Sequence, residues 1–424
     1  MPNKPQTLKG FRDILPAEQA KRNEVLRRIT TAFERFGFEQ MQTPTLEYAS
    51  LLLGKYGDEA DKLVYTFEDN GGRKVGLRYD QTVPTARVLG EHQHTLPRYF
   101  RRYQVQNVFR AEKPQKGRYR EFTQCDCDIF GSTSIVADSE IVAVLYTALA
   151  EVGFGSITIE INDRHVLMAT LKEFATSEVP IPAITQSIDK LDKLSRDEVV
   201  RELIQKGLEK NAAEEVLGKV KKIDKSDYIL ELESLVCSLG VPETSLVFNP
   251  ALARGLDYYT GLIFEAKIQD YAVGSVGGGG RYDNLIKNLT GHDSPAVGFG
   301  IGFDRVVQAA EQLGLIKDTT SSTTVLVSVF SPELLEPAAA IAGQLRQSGI
   351  TTELYPSATD SLGKQFKLAD QKNIPYVAIL GEDEIKNNTA TIKTMKTGEQ
   401  VTVVQDKLAT YPLFSRGASL VTKW

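Results

Sequence analysis

The segment from Arg98 to Gly131, RYFRRYQVQNVFRAEKPQKGRYREFTQCDCDIFG, most constrains what this chain can fold into. Two limbs of alternating residues, 103–110 and 119–130, flank a turn-rich loop at 112–117 that carries two lysines. The pattern predicts strand, loop, strand. Side chains at i and i+2 of a strand share a face, so Arg118, Arg120, Phe122, Gln124, Asp126 and Asp128 line one side of the second limb, and Cys125, Cys127 and Ile129 the other. Two cations, a ring, an amide and two carboxylates do not make an apolar core. They suit a solvated sheet face with paired charges, or a site that holds a polyphosphate and a flat base at one end and an amine or imidazole at the other. Arg98, Arg101, Arg102, Arg110, Arg118 and Arg120 cluster here with few acids among them. The whole chain is acidic, with 50 basic against 55 acidic residues and a net charge of −5, so this cluster is a local choice. Any contact with nucleic acid must use such patches rather than overall charge.

A chain of 424 residues has room for about three domains, and a hydrophobic fraction of 42% supports ordinary folded cores. Three cysteines without a Cys-x-x-Cys pair argue against a disulfide framework and for a reducing compartment. Four histidines without metal spacing weigh against zinc. Cys125 and Cys127 could take a soft metal, but two small residues facing a sheet core is the simpler reading. The start, MPNKPQTLKG, has no apolar segment, and neither a signal peptide nor a membrane span is expected. The protein is expected in the cytoplasm.

Residues 1–16 are punctuated by proline, and a long helix then carries Val25, Leu26, Ile29, Phe33 and Phe36 at helical spacing until Gly37. Residues 38–43 read as a strand, stopped by Pro44; residues 46–53 read as a helix. A strand that ends in proline suggests an edge or an interface, although a plain strand-to-helix turn fits as well. Residues 64–67 and 74–79 form a hairpin about Asp69-Asn70-Gly71-Gly72, delivering Asp80 and Thr82 to the start of the next helix, where simple capping is open to both. Helices are expected at 132–153 and 165–174, with a strand at 157–161. From 176 to 246 strand patterns vanish and Lys, Glu, Asp and Leu recur at helical spacing, a helical insertion with a solvated or, less simply, nucleic-acid-contacting charged face.

Sheet patterns return at Val247. The segment 252–261 feeds a strand at 262–268, and a further strand leads into the glycine run 277–280, followed by Arg281-Tyr282-Asp283. Such a run is either a linker or a stretch of backbone against which a ligand lies flat. Ala296 to Asp304 is a glycine-dotted strand entering a helix, without the βαβ unit a dinucleotide fold requires, and no P-loop is present. A polar linker at 315–322 precedes alternating strands and helices to the end, a separate α/β domain with a mostly parallel sheet.

These motifs together resemble a class II aminoacyl-tRNA synthetase, and within that class the histidyl-tRNA synthetase family, over nearly the whole length. Phe109 to Glu112 with Gly117 to Phe122 resembles class motif 2, residues 38–44 resemble motif 1, and residues 298–305 resemble motif 3. Residues 252–259 and 279–283 resemble the two histidine-specific motifs, and DQTVPTARV after Tyr79 is also similar to the family. One departure is Asp304, where many members carry Glu. The resemblance implies an α+β fold: an antiparallel-sheet catalytic domain with a helical insertion, plus a C-terminal α/β anticodon-binding domain. The implied boundaries are 1–175 and 247–318 for the catalytic domain, 176–246 for the insertion and 323–424 for the anticodon-binding domain.

The implied function is a homodimeric, ATP-dependent histidine–tRNA ligase that makes histidyl-adenylate and then charges tRNA(His). A catalytically silent regulatory or tRNA-binding subunit of the same fold is the alternative. Arg110 and Arg254 would hold the α-phosphate, Arg254 as the family's catalytic cation; Arg118 and Arg305 would hold the outer phosphates, Glu112 and Phe122 the adenine. Mg2+ would ride on the phosphates with no protein ligand assigned to it. Asp80, Thr82 and Gln124 would bind the α-amino and carboxylate groups of L-histidine; Asp128, Tyr259 and Tyr282 would serve the imidazole. Lys113 and Gln115 would meet the tRNA acceptor end.

Overall fold

The computed structural model describes residues 5–53, 63–113, 119–253, 258–271, 274–316, 321–412 and 414. In chain order the strands are β1 (Glu39–Gln40), β2 (Leu46–Tyr48), β3 (Thr66–Glu68), β4 (Lys74–Leu77), β5 (Phe100–Phe109), β6 (Glu121–Phe130), β7 (Ile157–Asp163), β8 (Leu246–Phe248), β9 (Leu262–Ile268), β10 (Gly277–Arg281), β11 (Ala296–Gly302), β12 (Val325–Val327), β13 (Thr352–Leu354), β14 (Tyr376–Ile379), β15 (Thr389–Thr394) and β16 (Gln400–Val404). Contacts divide the chain into two compact units, residues 1–13 with 24–315, and residues 14–23 with 316–424.

The first unit is built on an eight-stranded sheet of order β1-β5-β6-β11-β10-β9-β7-β8. Its five inner pairings, from β5·β6 to β9·β7, are antiparallel; β1 and β8 add parallel edges. One face is apolar: Cys125, Cys127 and Ile129 of β6 are buried, as are Phe33 and Ile29 of helix Pro16–Arg35 and Ile141, Leu145 and Leu149 of helix Ile135–Val152. The alternation in β6 thus sorts as strand geometry requires, with sulfur and aliphatic groups toward the core. A three-stranded sheet, β2-β4-β3, stands apart from it.

Two local expectations are corrected. Residues 46–53 divide into β2 and the short helix Ala49–Leu52, because Leu46 and Tyr48 pair with Leu77 and Val75 of β4, a partner distant in sequence. The strand expected over 38–43 keeps only Glu39 and Gln40. The Phe38 N–H donates to the Phe33 carbonyl (3.1 Å) across Gly37, whose φ of 76° closes the helix end. The Thr43 N–H turns to the Gln106 side chain at 3.0 Å.

The helical segment carries Ile181–Ile188, Arg196–Gln205, Lys210–Lys221 and Asp227–Ser238. The first three share a core in which Val199, Leu203, Val216 and Val220 pack with Leu167 and Leu171 of helix Arg164–Lys172. The second unit holds a five-stranded sheet, β13-β12-β14-β15-β16, over its own apolar core. It is mixed rather than mostly parallel: β12 pairs in parallel with β13 and β14, and β14·β15 and β15·β16 are antiparallel. A short helix, Glu382–Lys386, carries the turn between those halves. Among the described residues no helix is long and apolar enough to cross a membrane.

Candidate active site

Register arranges the polar face of the main sheet in rows. Arg102 of β5 stands opposite Asp128 of β6, which stands opposite Gly298 of β11, which stands opposite Gly280 of β10; the next row is Gln104, Asp126, Gly300 and Gly278. Side chains of β6 therefore lean toward strands that have none. A Cβ on Gly298 would fall 1.8 Å from Asp128 Oδ1, and one on Gly300 2.7 Å from Gln124 Nε2 and 2.8 Å from Asp126 Oδ1. The glycine run is strand, not linker: a Cβ on Gly279 would sit 1.9 Å from the Gly298 carbonyl oxygen.

Two adjoining cavities open on this floor. The larger, about 330 Å³, is lined by Arg110, Glu112, Phe122 and Arg305 above Gly277, Gly300 and Gly302. The smaller, about 130 Å³, is lined by Asp80, Thr82, Asp126, Asp128, Tyr259 and Tyr282. Arg110, Gln124 and Gly300 line both. Residues expected at the nucleotide and those expected at the amino acid thus gather in separate, neighbouring spaces. Arg118, Gln115 and Arg254 lie outside the described residues; Lys113 is described and exposed.

Backbone contacts hold the lining side chains. Arg110 Nε donates to the Tyr79 carbonyl at 3.1 Å, and its guanidinium carbon stands 5.1 Å from the centre of the Phe122 ring, within cation–π reach. Gln81 is fully buried and donates to the carbonyls of Gln124 (2.7 Å) and Gln106 (3.1 Å), tying the start of helix Thr82–Glu91 to β5 and β6. Asp80 accepts the Val83 N–H at 3.2 Å. It both accepts an N–H of that helix's first turn and lines the smaller cavity. Arg305, in the first turn of helix Phe303–Gln312, donates to the Ser275 carbonyl at 2.9 Å. Its neighbour Asp304 takes a different part, accepting Arg12 on one oxygen and the Thr123 N–H (2.9 Å) on the other. Arg120 leaves the face and donates to the carbonyls of Glu112 (3.0 Å) and Lys9 (3.3 Å), pinning the base of the loop.

The smaller cavity is an electrostatic pocket. The Tyr282 hydroxyl donates to Asp128 Oδ1, while Arg102 Nη2 lies 2.8 Å from Oδ2. Burial pushes the Asp128 carboxyl up; the charge of Arg102 and the Tyr282 hydrogen bond pull it back. Burial likewise pushes Asp126 up to about 7, with Arg102 acting against this and Asp128 adding to it. Gln124 Nε2 donates to Asp126 at 2.8 Å. Tyr258 packs 4.6 Å from Tyr259 and 5.6 Å from Tyr282, centre to centre, forming an aromatic wall. Sequence reasoning assigned no role to Arg102 or Asp126. The signal that would have found them is cross-strand register, which alternation alone does not contain. Among the described residues no three His, Cys, Asp or Glu side chains gather as a metal-binding group.

Comparison with known proteins follows the same division. The family model described as Histidyl-tRNA synthetase matches residues 10–306, and the one described as Anticodon binding domain matches residues 324–412. The chain is 39% identical to the histidine–tRNA ligase of Wolinella succinogenes over 93% of this chain and 95% of that protein. It is 38% identical to that of Clostridium tetani over 94% of this chain and 95% of that protein. Its fold matches the crystal structure of histidyl-tRNA synthetase from Nostoc sp. PCC 7120 with a TM-score of 0.82, 30% identity, and coverage of 97% and 99% of the two chains. A Bacillus halodurans chain described as an ATP phosphoribosyltransferase regulatory subunit/histidyl-tRNA synthetase is 21% identical at a TM-score of 0.74 (covering 89% of this chain and 99% of that one), a likeness of fold alone. A family model that spans most of the first unit, with relatives this similar along both chains, places the chain in the histidyl-tRNA synthetase family.

Proposed function

We propose that the chain is an ATP-dependent histidine–tRNA ligase that joins L-histidine to tRNA(His) in two steps. The observation that carries this reading is the pair of adjoining cavities, which share Arg110 and Gln124. In the first step a histidine carboxylate oxygen attacks the α-phosphorus of ATP, a P–O bond forms, and pyrophosphate leaves. Both partners are anions, so positioning and charge compensation supply most of the catalysis. Arg110, at the junction of the cavities, is placed to hold the α-phosphate as a fork, and Arg305 the outer phosphates. Arg254 takes the second position on the α-phosphate, with Arg118 beside Arg305; both assignments rest on the family motifs. Glu112 and Phe122 take the adenine. Asp80, Thr82 and Gln124 take the α-amino and carboxylate groups, and Asp128, Tyr259 and Tyr282 the imidazole, whose two nitrogens both need partners when buried. In the second step a terminal ribose hydroxyl of the tRNA attacks the adenylate carbonyl and AMP leaves.

ATP arrives with Mg2+ on its phosphates, the oxygens this ion prefers. The carboxylates of the larger cavity are Glu112 and Asp304, and Asp304 is taken by Arg12 and Thr123. This donor set does not build a protein cage for the ion. Residues 1–175 and 247–318 form the catalytic domain and 176–246 an insertion that contacts tRNA. Residues 323–424 bind the anticodon, and Lys113 and Gln115 meet the acceptor end. The enzyme works in the cytoplasm as a homodimer. In support, β1 is an edge strand, and β2 and β3 expose Leu46, Tyr48 and Phe67. The silent-subunit reading is disfavoured by the presence of both histidine motifs and of Arg110 and Arg305 at the nucleotide cavity.

The test is ATP–pyrophosphate exchange with each amino acid in turn. Exchange with histidine alone is expected; equal exchange with another amino acid, or none with histidine, would sink the assignment.

A further inference from the structure

Among the described residues of the first unit, the largest fully buried side chain is a cation. Arg102 is 0% exposed, sits on β5 between β1 and β6, and lines neither cavity. Its Nη2 lies 2.8 Å from Asp128 Oδ2 as an ion pair without an aligned hydrogen bond, and its Nε and Nη1 have no hydrogen-bond partner among the described residues. Taking a guanidinium out of water costs several kcal/mol, and an apolar residue at such a place commonly serves stability as well or better. What holds Arg102 is charge. On β6, Asp128 stands directly opposite it and Asp126 in the next row, and their charge acts on it; burial keeps the nearby Tyr282 phenol and Cys127 thiol neutral.

We propose that Arg102 is a positioning residue for amino-acid recognition: its buried charge holds Asp128 as a fixed carboxylate, so that the smaller cavity offers a permanent acceptor to a ring N–H of the substrate. The inference rests on reading that cavity as the histidine site. Asp128 is held at both oxygens and has no room beside it at β11. Tyr282 donates to Oδ1, Arg102 stands at Oδ2, and the space at Gly298 admits no side chain beside it. A carboxylate has about four lone-pair sites, so acceptor capacity remains for a substrate. Without the cation, a carboxyl buried beside Asp126 takes up a proton. Asp128 then presents an O–H where an acceptor is needed, and the ring N–H loses its partner. The other ionisable or charged groups at this cavity are Asp80 before helix Thr82–Glu91, Arg110 at the end of β5, and the phenols of Tyr258, Tyr259 and Tyr282.

The test compares full-length wild type, Arg102→Met and Arg102→Lys by histidine-dependent ATP–pyrophosphate exchange from about pH 6 to about pH 9, beside a thermal melt of each. Arg102→Met is expected to raise the KM for histidine by roughly 10- to 100-fold near neutral pH while the KM for ATP stays within about twofold. The histidine deficit should shrink as pH rises and Asp128 ionises unaided, and Arg102→Lys should recover part of the loss. A histidine KM in Arg102→Met within about threefold of wild type overturns the proposal. So does a parallel rise in both KM values that does not change with pH, or an Arg102→Lys protein that fails to fold, since either makes Arg102 a residue of the fold only. If the wild type itself shows no exchange with histidine, the reading of the cavity falls and this inference with it; exchange in wild type with unaltered variants removes the role of Arg102 alone.

Discussion

Gly298 shows how one missing side chain governs the amino-acid end of the site. A Cβ there would overlap the Asp128 carboxylate, which has no slack because Tyr282 and Arg102 hold it. Gly298→Ala should therefore cut histidine-dependent exchange by at least about tenfold, through the KM for histidine, with the ATP KM little changed. Gly155→Ala, where a Cβ meets nothing within 4 Å, is the control and should behave as wild type. Asp126 carries the second prediction. Its folded value of about 7 is above the ordinary carboxyl range, so the folded state binds this proton more tightly than the unfolded chain does. The stabilising contribution is present in full below about pH 4 and is lost as pH rises through about 7. Asp126→Asn removes that dependence: melting curves from about pH 5 to about pH 8 should fall with pH less in the variant than in wild type. Equal slopes would show that Asp126 is ionised throughout.

At the scale of elements, the joint between β6 and helix Phe303–Gln312 positions Arg305. Asp304 makes that joint by accepting the Thr123 N–H, and it draws in Arg12, whose guanidinium carbon also sits 3.8 Å from the centre of the Tyr119 ring. Asp304→Ala removes an acceptor from a peptide N–H and from a part-buried guanidinium, a loss of roughly 1–3 kcal/mol. The expected outcome is a melting temperature lower by a few degrees and a raised KM for ATP, with Asp304→Asn milder because it keeps an acceptor. An ATP KM unchanged in Asp304→Ala would mean that Arg305 is placed without help from Asp304.

The whole molecule consists of two compact units, each with its own core. The arginine-lined cavity is built within the first, so deletion of residues 323–424 should damage tRNA charging far more than histidine-dependent exchange. Equal loss of both would show that the C-terminal unit supports the catalytic fold instead. Sedimentation of the intact chain at micromolar concentration should give the mass of a dimer, and a single monomeric mass would contradict the interface assigned to β1 and its neighbours.

The sequence by itself determined most of the elements and the faces they present. β9 and β11 run as expected over Leu262–Ile268 and Ala296–Gly302, and alternation in β6 sorted Cys125 and Cys127 from Gln124, Asp126 and Asp128, because a strand's two-residue period is local. The motifs likewise marked Arg110, Arg305, Tyr259 and Tyr282, which line the two cavities. Only the tertiary structure decided partners. Residues 46–48 became a strand because β4 was there to pair with them, and the glycine run became β10 because β9 and β11 flank it. Arg102 was one arginine in a cluster until register set it against Asp128, and Asp304 one residue of a motif until Arg12 reached it from the N-terminal segment. Local pattern specifies which face a side chain takes; which residue it meets there depends on pairing between segments far apart in the chain, and that is settled only when the sheet closes its register.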